Sequence, residues 1–348
     1  MARGLNMKKI GAAVSLRRVL TVFIPLGAAV VLLAAFLWIG SASMRTKNLK
    51  AGVTFSIPYT EELGLNWRET LTGLLDDLGV QRFRIPAYWS RMEPERGQFD
   101  WSEIDYQMDE ISRRGGKVVL AVGAKLPRWP ECWIPGWALH QSRKGEQEAR
   151  LLYIETVVNR YKNHSALAGW QVENEALFPF GICPKSSREF LKSEIELVRS
   201  LDIEHPIATT DSGEFSTWLR TGTLTDRLGI STYRRVTTFW GSTWDYWFIP
   251  PYWYARHAAL LNPLVRDVYV SEFQMEPWSE DALTITPIRK QTDFFPVEKM
   301  EENFAFAERM RFNEIYFWGA EWWWWMKVKH GNDEYWETAK SFFRAHAL

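Results

Sequence analysis

Two glutamates close runs of strand-like residues in this 348-residue chain. Glu175 ends Trp170-Gln171-Val172-Glu173-Asn174-Glu175, and Glu272 follows Val268-Tyr269-Val270-Ser271. A pair of carboxyl groups can cleave a glycosidic bond when one is protonated and assists the leaving oxygen while the other, ionised, attacks the anomeric carbon. Most loop glutamates are solvated surface residues, and Glu131, Glu214, Glu276 and Glu321 compete for the same roles. What separates Glu175 and Glu272 from them is their place in the layout of the chain.

From residue 51 onward, short β-rich runs alternate with longer amphipathic stretches. Eight strands are predicted: 51–55, 81–85, 117–122, 168–172, 206–210, 227–231, 267–271 and 314–317. Between them, apolar residues at three- and four-residue spacing predict helices that include 67–78, 102–114, 147–162, 186–201 and 297–311. Alternation of this kind implies a parallel sheet. Eight units in about 300 residues fit a closed (β/α)8 TIM barrel of ~250 residues plus insertions. No glycine-rich phosphate loop follows any strand, so the dinucleotide-binding alternative has no motif to support it. Barrel chemistry sits at the C-terminal strand ends, which is where Glu175 and Glu272 fall.

These strand-end motifs resemble glycoside hydrolase clan A, with an Asn-Glu pair after the fourth strand and a glutamate after the seventh. The resemblance implies a retaining glycosidase acting on a β-linked oligosaccharide or polysaccharide, with Glu175 as acid/base, Glu272 as nucleophile, and Asn174 holding a sugar hydroxyl. Phe83-Arg84-Ile85-Pro86-Ala87-Tyr88-Trp89 is similar to the second-strand signature of the cellulase and mannanase family, in which the arginine supports the nucleophile. Arg84 would then keep Glu272 ionised. Tyr233 falls where the clan often places a tyrosine bonded to the nucleophile, and Trp318 resembles the tryptophan that floors the cleavage point. Trp89, Trp322 with one neighbour in the Trp322–Trp325 run, Lys125 and Trp129 are further candidates to touch substrate. Gly123-Ala124 and Ser231 stand where the cellulase and mannanase family carries histidines, while Gln171-Val172-Glu173-Asn174-Glu175 is closer to β-galactosidase families. The resemblance therefore reaches the clan and no single family. It leaves open transfer of the glycosyl group to another sugar near a membrane, and a barrel that binds carbohydrate without cleaving it.

Composition bounds the partners. With 42 basic and 42 acidic residues the formal charge is zero, and no basic stripe of the kind nucleic acid requires follows the N-terminus. The 20 tryptophans exceed what a core of this size needs, as a sugar-stacking cleft would. Residues 19–39 carry no charge and at helical rise span ~31 Å, about one bilayer core. The expected organisation is a basic cytoplasmic segment 1–18, an uncleaved transmembrane anchor 19–40, a linker 41–50 and a catalytic barrel 51–348 outside the cytoplasm. Cys132 and Cys183 follow the third and fourth predicted strands on one rim, which allows a disulfide in an oxidising compartment. His164 and His205 lie near helix ends, and no metal-ligand cluster or cofactor motif is present, so neither metal nor cofactor is expected.

Overall fold

A computed structural model describes residues 46, 48–237, 242–279 and 281–347, together with Phe23, Gly27, Ala28, Val30, Val31, Leu32 and Ala35, which are helical. Apart from those positions, the expected cytoplasmic segment, membrane anchor and most of the linker lie outside the described residues. Among the described residues no helix is long and apolar enough to cross a membrane.

Eight parallel strands close into a barrel: β1 (Lys50–Thr54), β2 (Arg82–Pro86), β3 (Lys117–Val122), β4 (Leu167–Val172), β5 (Ile207–Ser212), β6 (Arg227–Thr232), β7 (Asp267–Gln274) and β8 (Glu314–Trp318). Each pairs with the next in the chain, and β8 closes on β1. All eight coincide with the predicted strands to within three residues at either end. Helices Ser102–Arg113, Arg143–Tyr161, Arg188–Leu201 and Val297–Arg309 occupy the expected stretches, while the helix from Trp67 gives way at Gly73 to a π turn through Asp77. The complement is uneven. Only the single turn Leu219–Gly222 separates β5 from β6, whereas the β6–β7 connection carries an antiparallel pair, Arg235–Thr237 with Thr243–Asp245, and the helix Pro251–Leu261.

Alternation along the strands divides the apolar residues. Val53, Phe83, Ile85, Val118, Leu120, Val122, Trp170, Leu228, Val270, Ile315 and Phe317 belong to the large core shared with the surrounding helices. Val119, Ala208, Tyr269 and Tyr316 form a separate cluster, the plug of the barrel interior. Gly52 makes room for that plug, since a Cβ there would stand 2.8 Å from the Tyr316 ring. The helix Arg188–Leu201 shows how local sequence sets the outer layer. Ser187 caps it by accepting the Phe190 N–H at 3.1 Å, and Leu191, Ile195 and Val198 line the buried face.

One irregularity bears directly on chemistry. Val270 pairs with Ile230 on β6 and Ile315 on β8, but the next registered partners are Glu272 opposite Ser231 and Phe273 opposite Phe317. Both neighbours thus record one extra residue in β7, a β-bulge at Ser271–Glu272. Strict alternation would send Glu272 outward with Val270. The bulge turns it into the lumen.

Candidate active site

The C-terminal end of β4 is built around Glu173. Its carboxylate accepts the N–H groups of Ala124 at 2.9 Å and Lys125 at 2.6 Å, and pairs with Arg150 at 3.1 Å. Gly123, at φ +127°, lets this side chain pass, because a Cβ would meet its Oε1 at 2.5 Å. The chain then turns sharply, with Glu173 and Glu175 both in the left-handed region at φ 57° and 45°. Each such residue costs on the order of 1–3 kcal/mol, offset here by fixed contacts. The Asn174 N–H donates to the Lys125 carbonyl at 2.6 Å, and the Glu175 N–H to Thr210 Oγ1 at 2.8 Å. Thr210 in turn donates to Asn174 Oδ1 at 2.9 Å.

Arg84 joins this strand end to β7. Fully buried in the lumen, it donates through Nε to Gln171 Oε1 at 2.6 Å, through Nη2 to Asn174 Oδ1 at 2.6 Å, and through Nη1 to Glu272 Oε1 at 2.8 Å. Tyr233 donates its hydroxyl to Glu272 Oε2 at 2.9 Å. Burial first, and then the Glu272 charge, push the Tyr233 phenol well above its usual range, so it stays a donor. One carboxylate oxygen is therefore held by a cation and the other by a phenol. Replacing Arg84 by Met leaves Glu272 buried without its counter-charge. The expected loss of stability is about 3–5 kcal/mol, read from urea denaturation at neutral pH.

Glu175 is in the opposite condition. Burial, reinforced by the Glu272 charge, pushes its carboxyl up to about 8, so at neutral pH it holds a proton. The two glutamates of one lumen thus differ in their surroundings: Glu175 is pushed toward the acid form that assists a leaving oxygen, and Glu272 is held by the Arg84 guanidinium and the Tyr233 hydroxyl.

Beside them opens a cavity of about 620 Å³ lined by Tyr59, Arg128, Trp129, Glu131, Trp133, Phe180, Tyr233, Trp278 and Trp318, among others. Trp318 lies in this wall, but the guanidinium of Arg128 lies over its ring at 3.9 Å from the ring centre and over that of Tyr59 at 3.7 Å. Arg128 pairs with Glu276 and, at 2.8 Å, with Glu321. Tyr59 donates to Glu276 at 3.0 Å, and the Ser56 N–H to Glu321 at 2.7 Å. Glu276 and Glu321, rivals of the chosen pair on sequence alone, are therefore consumed in a buried clamp. Sequence reasoning missed Arg128 and Tyr59, for a lone basic residue on the loop after β3 and a lone ring in the short helix Ile57–Glu62 carry no spacing signal. Lys125 is also committed, to the carbonyls of Glu175 and Phe178 at 2.8 and 3.0 Å.

Two expected cleft residues point elsewhere. Trp89 opens the turn Trp89–Met92, donates to Glu93 at 2.8 Å and stacks on Tyr153, fully buried beneath the rim. Trp322 donates to Gln291 at 2.7 Å and packs against Tyr335. Its neighbours follow the same logic, because they sit on one helix, Ala320–His330, and consecutive residues there face all round. Trp323 donates to the Met275 carbonyl, Trp324 packs on Trp336, and Trp325 packs on His330. The four-tryptophan run serves the helical shell and none of it lines the cavity. Trp129, by contrast, is exposed on the rim, edge-on to Phe180, which contacts Trp278.

Cys132 and Cys183 are disulfide-bonded, with Cα atoms 4.7 Å apart, and tie the β3–β4 loop to the β4–β5 loop. The bridge closes a separation of 51 residues, for which loop-closure entropy gives about 4 kcal/mol. Serine at both positions is expected to lower stability by about 2–4 kcal/mol, whereas dithiothreitol should destabilise only the native protein in the same urea titration.

Residues 66–150 match the β-galactosidase family numbered 42 among the glycoside hydrolases. The segment runs from the start of the helix at Trp67 through β2 and β3 and stops before Glu175. β-Galactosidase BgaA of Clostridium cellulovorans is 24% identical over 192 residues, covering 49% of this chain and 28% of that protein. The chain thus spans less than a third of that relative's length. Among solved structures, the β-galactosidase of the haloarchaeon Halorubrum lacusprofundi superposes with a TM-score of 0.57 at 15% identity, over 87% of this chain and 58% of the other. Exo-β-1,4-mannosidase Op5Man5 of Opitutaceae bacterium strain TAV5 gives 0.57 at 14% identity, over 88% and 61%. These likenesses bear out the resemblance to clan A that the strand-end motifs carry.

Proposed function

On the premise of that likeness to clan A glycoside hydrolases, we propose that this chain cleaves β-linked glycosides with retention of configuration. The observation that carries the reading is the asymmetry of the two lumen glutamates: Glu175 is driven toward its protonated form, while Glu272 is held by Arg84 and Tyr233. Glu272 attacks the anomeric carbon as the glycosidic C–O bond breaks, and the leaving oxygen departs with the Glu175 proton. Glu175, now ionised, takes a proton from water. That water attacks the same carbon, releasing the sugar and restoring both carboxyl groups.

The family match and the named relatives make β-galactosides the first substrates to test, and the rim of Trp129, Phe180 and Trp278 suits a glycoside of more than one sugar. The test is a screen of aryl β-glycosides in the galacto, gluco, manno, xylo and fuco series with the full chain in detergent. Phenol release from at least one series is expected, and release from none contradicts the reading. Product analysis with an added sugar acceptor separates hydrolysis from transfer.

The same reading places the barrel outside the cytoplasm on an N-terminal anchor. The uncharged run 19–39 and a disulfide at home in an oxidising compartment support it. Carbonate-washed membranes should retain the full chain, with the barrel open to protease from the outer side. Recovery in the carbonate supernatant counts against the anchor.

A further inference from the structure

Glu131 is a third carboxyl at the head of the lumen that the double displacement leaves unused. It lies on the β3–β4 loop at φ 59°, next to the disulfide, and is 6% exposed. Its Oε1 accepts a long hydrogen bond, 3.4 Å, from Asn174 Nδ2. Its Oε2 has no hydrogen-bond partner among the described residues. Lys125 stands 3.7 Å away, beyond hydrogen-bond reach, with its ammonium already given to two carbonyls. The residue nevertheless lines the cavity alongside Tyr233 and Trp318. A buried carboxyl oxygen without a partner is costly, and such a group in a native structure calls for something outside the chain to complete it. The groups that share the cavity wall narrow what that is: among the described residues, Glu62, Glu131, Glu276 and Asp281 face one cation, Arg128, which is itself paired.

We propose that Glu131 is a specificity-determining residue whose Oε2 receives a hydrogen bond from the sugar bound at the cleavage point. The group it recognises is a donor on that sugar, a hydroxyl or an ammonium. Carboxylated and sulfated sugars meet the carboxyl groups of Glu62, Glu276 and Asp281 in the same wall and are disfavoured. The inference rests on reading the cavity as a glycosidase site.

The experiment crosses protein variants with substrate deletions. The wild-type protein, E131A and E131Q are each assayed on an aryl glycoside the wild type cleaves, on its monodeoxy analogues, and on the matching amino-sugar and uronide glycosides. In the wild type, removing one particular hydroxyl should lower kcat/KM about 10- to 100-fold. In E131A the same deletion should cost no more than about 3-fold, while deletions elsewhere on the ring cost both proteins equally. A gain for the amino analogue in the wild type alone identifies ammonium as the preferred donor. Deletion penalties that match the wild type at every ring position, in E131A and E131Q alike, overturn the proposal and leave Glu131 a support for Asn174. E131Q, nearly isosteric, carries the comparison if E131A lacks a native near-ultraviolet spectrum. Calorimetric titration of the free sugar separates the two readings. A wild type that binds sugar in a Glu131-dependent way without turnover keeps this inference and loses the glycosidase, and binding that is indifferent to Glu131 does the reverse.

Discussion

Glu272→Gln is expected to lower kcat on an aryl β-glycoside by at least about 10⁴-fold, the scale on which removal of an activated nucleophile acts. The amide can still meet Arg84 and Tyr233, so the geometry survives while the attacking anion is gone. KM should change far less than kcat, because the group acts chiefly as the glycosidic bond breaks. Arg84 then loses its anionic partner but keeps Gln171 and Asn174 as acceptors at 2.6 Å each, so the variant should fold and its circular dichroism should match the wild type. A folded variant with activity within tenfold of the wild type would exclude Glu272 as nucleophile.

Glu175→Ala divides substrates by leaving group. Turnover of a poor leaving group, such as a second sugar, should fall about 10²- to 10⁴-fold, since the proton is needed as the bond breaks. A dinitrophenyl glycoside, whose leaving oxygen needs no proton, should still form the glycosyl-enzyme and then stall. Azide can enter the space the side chain vacates, attack the trapped sugar and restore turnover as a β-glycosyl azide. The pH profile gives an independent check. Burial and the Glu272 charge raise the Glu175 carboxyl to about 8, so the acid is present below that value. The basic limb of kcat/KM should fall as pH rises through about 8 in the native protein and vanish in Glu175→Ala. Stability follows the same sign. A carboxyl that titrates higher in the folded than in the unfolded chain contributes stability that is complete below its ordinary value of 4.5 and lost as pH rises through about 8. Glu175→Gln should therefore flatten the decline in stability across that window by a few kcal/mol, visible in urea midpoints taken at intervals of one pH unit. A decline unchanged by the substitution would show that Glu175 is not the buried acid.

The barrel was legible in the sequence because its signals are local and repeated. Runs such as Lys117–Val122 are rich in β-branched and apolar residues, and the spacing of Leu191, Ile195 and Val198 describes one face of a helix. Glu175 and Glu272 were legible as strand ends, but not the means by which they enter the lumen. A β-bulge at Ser271 and two left-handed residues flanking Asn174 aim them, and neither device has a residue signature, since no glycine marks them. The four-tryptophan run misled for the converse reason. Its composition suggests a sugar platform, yet its helical setting distributes the rings around the helix axis, where they pack between Gln291, Met275, Trp336 and His330. Arg128 and Glu131 lie on one irregular loop after β3 and act across space on Trp318, Glu276 and Asn174. Nothing in their spacing announces that, for the distances are set by how the loops fold back over the rim.

The central claim is that one lumen carboxylate forms a covalent bond to the sugar. Incubation with a 2-deoxy-2-fluoro β-glycoside bearing an activated leaving group should inactivate the protein with loss of one equivalent of leaving group. Peptide mass mapping should then find the fluorosugar on the segment containing Glu272, bonded to its carboxylate. A label on any other residue, or steady turnover with inversion at the anomeric carbon and no adduct, would contradict the account.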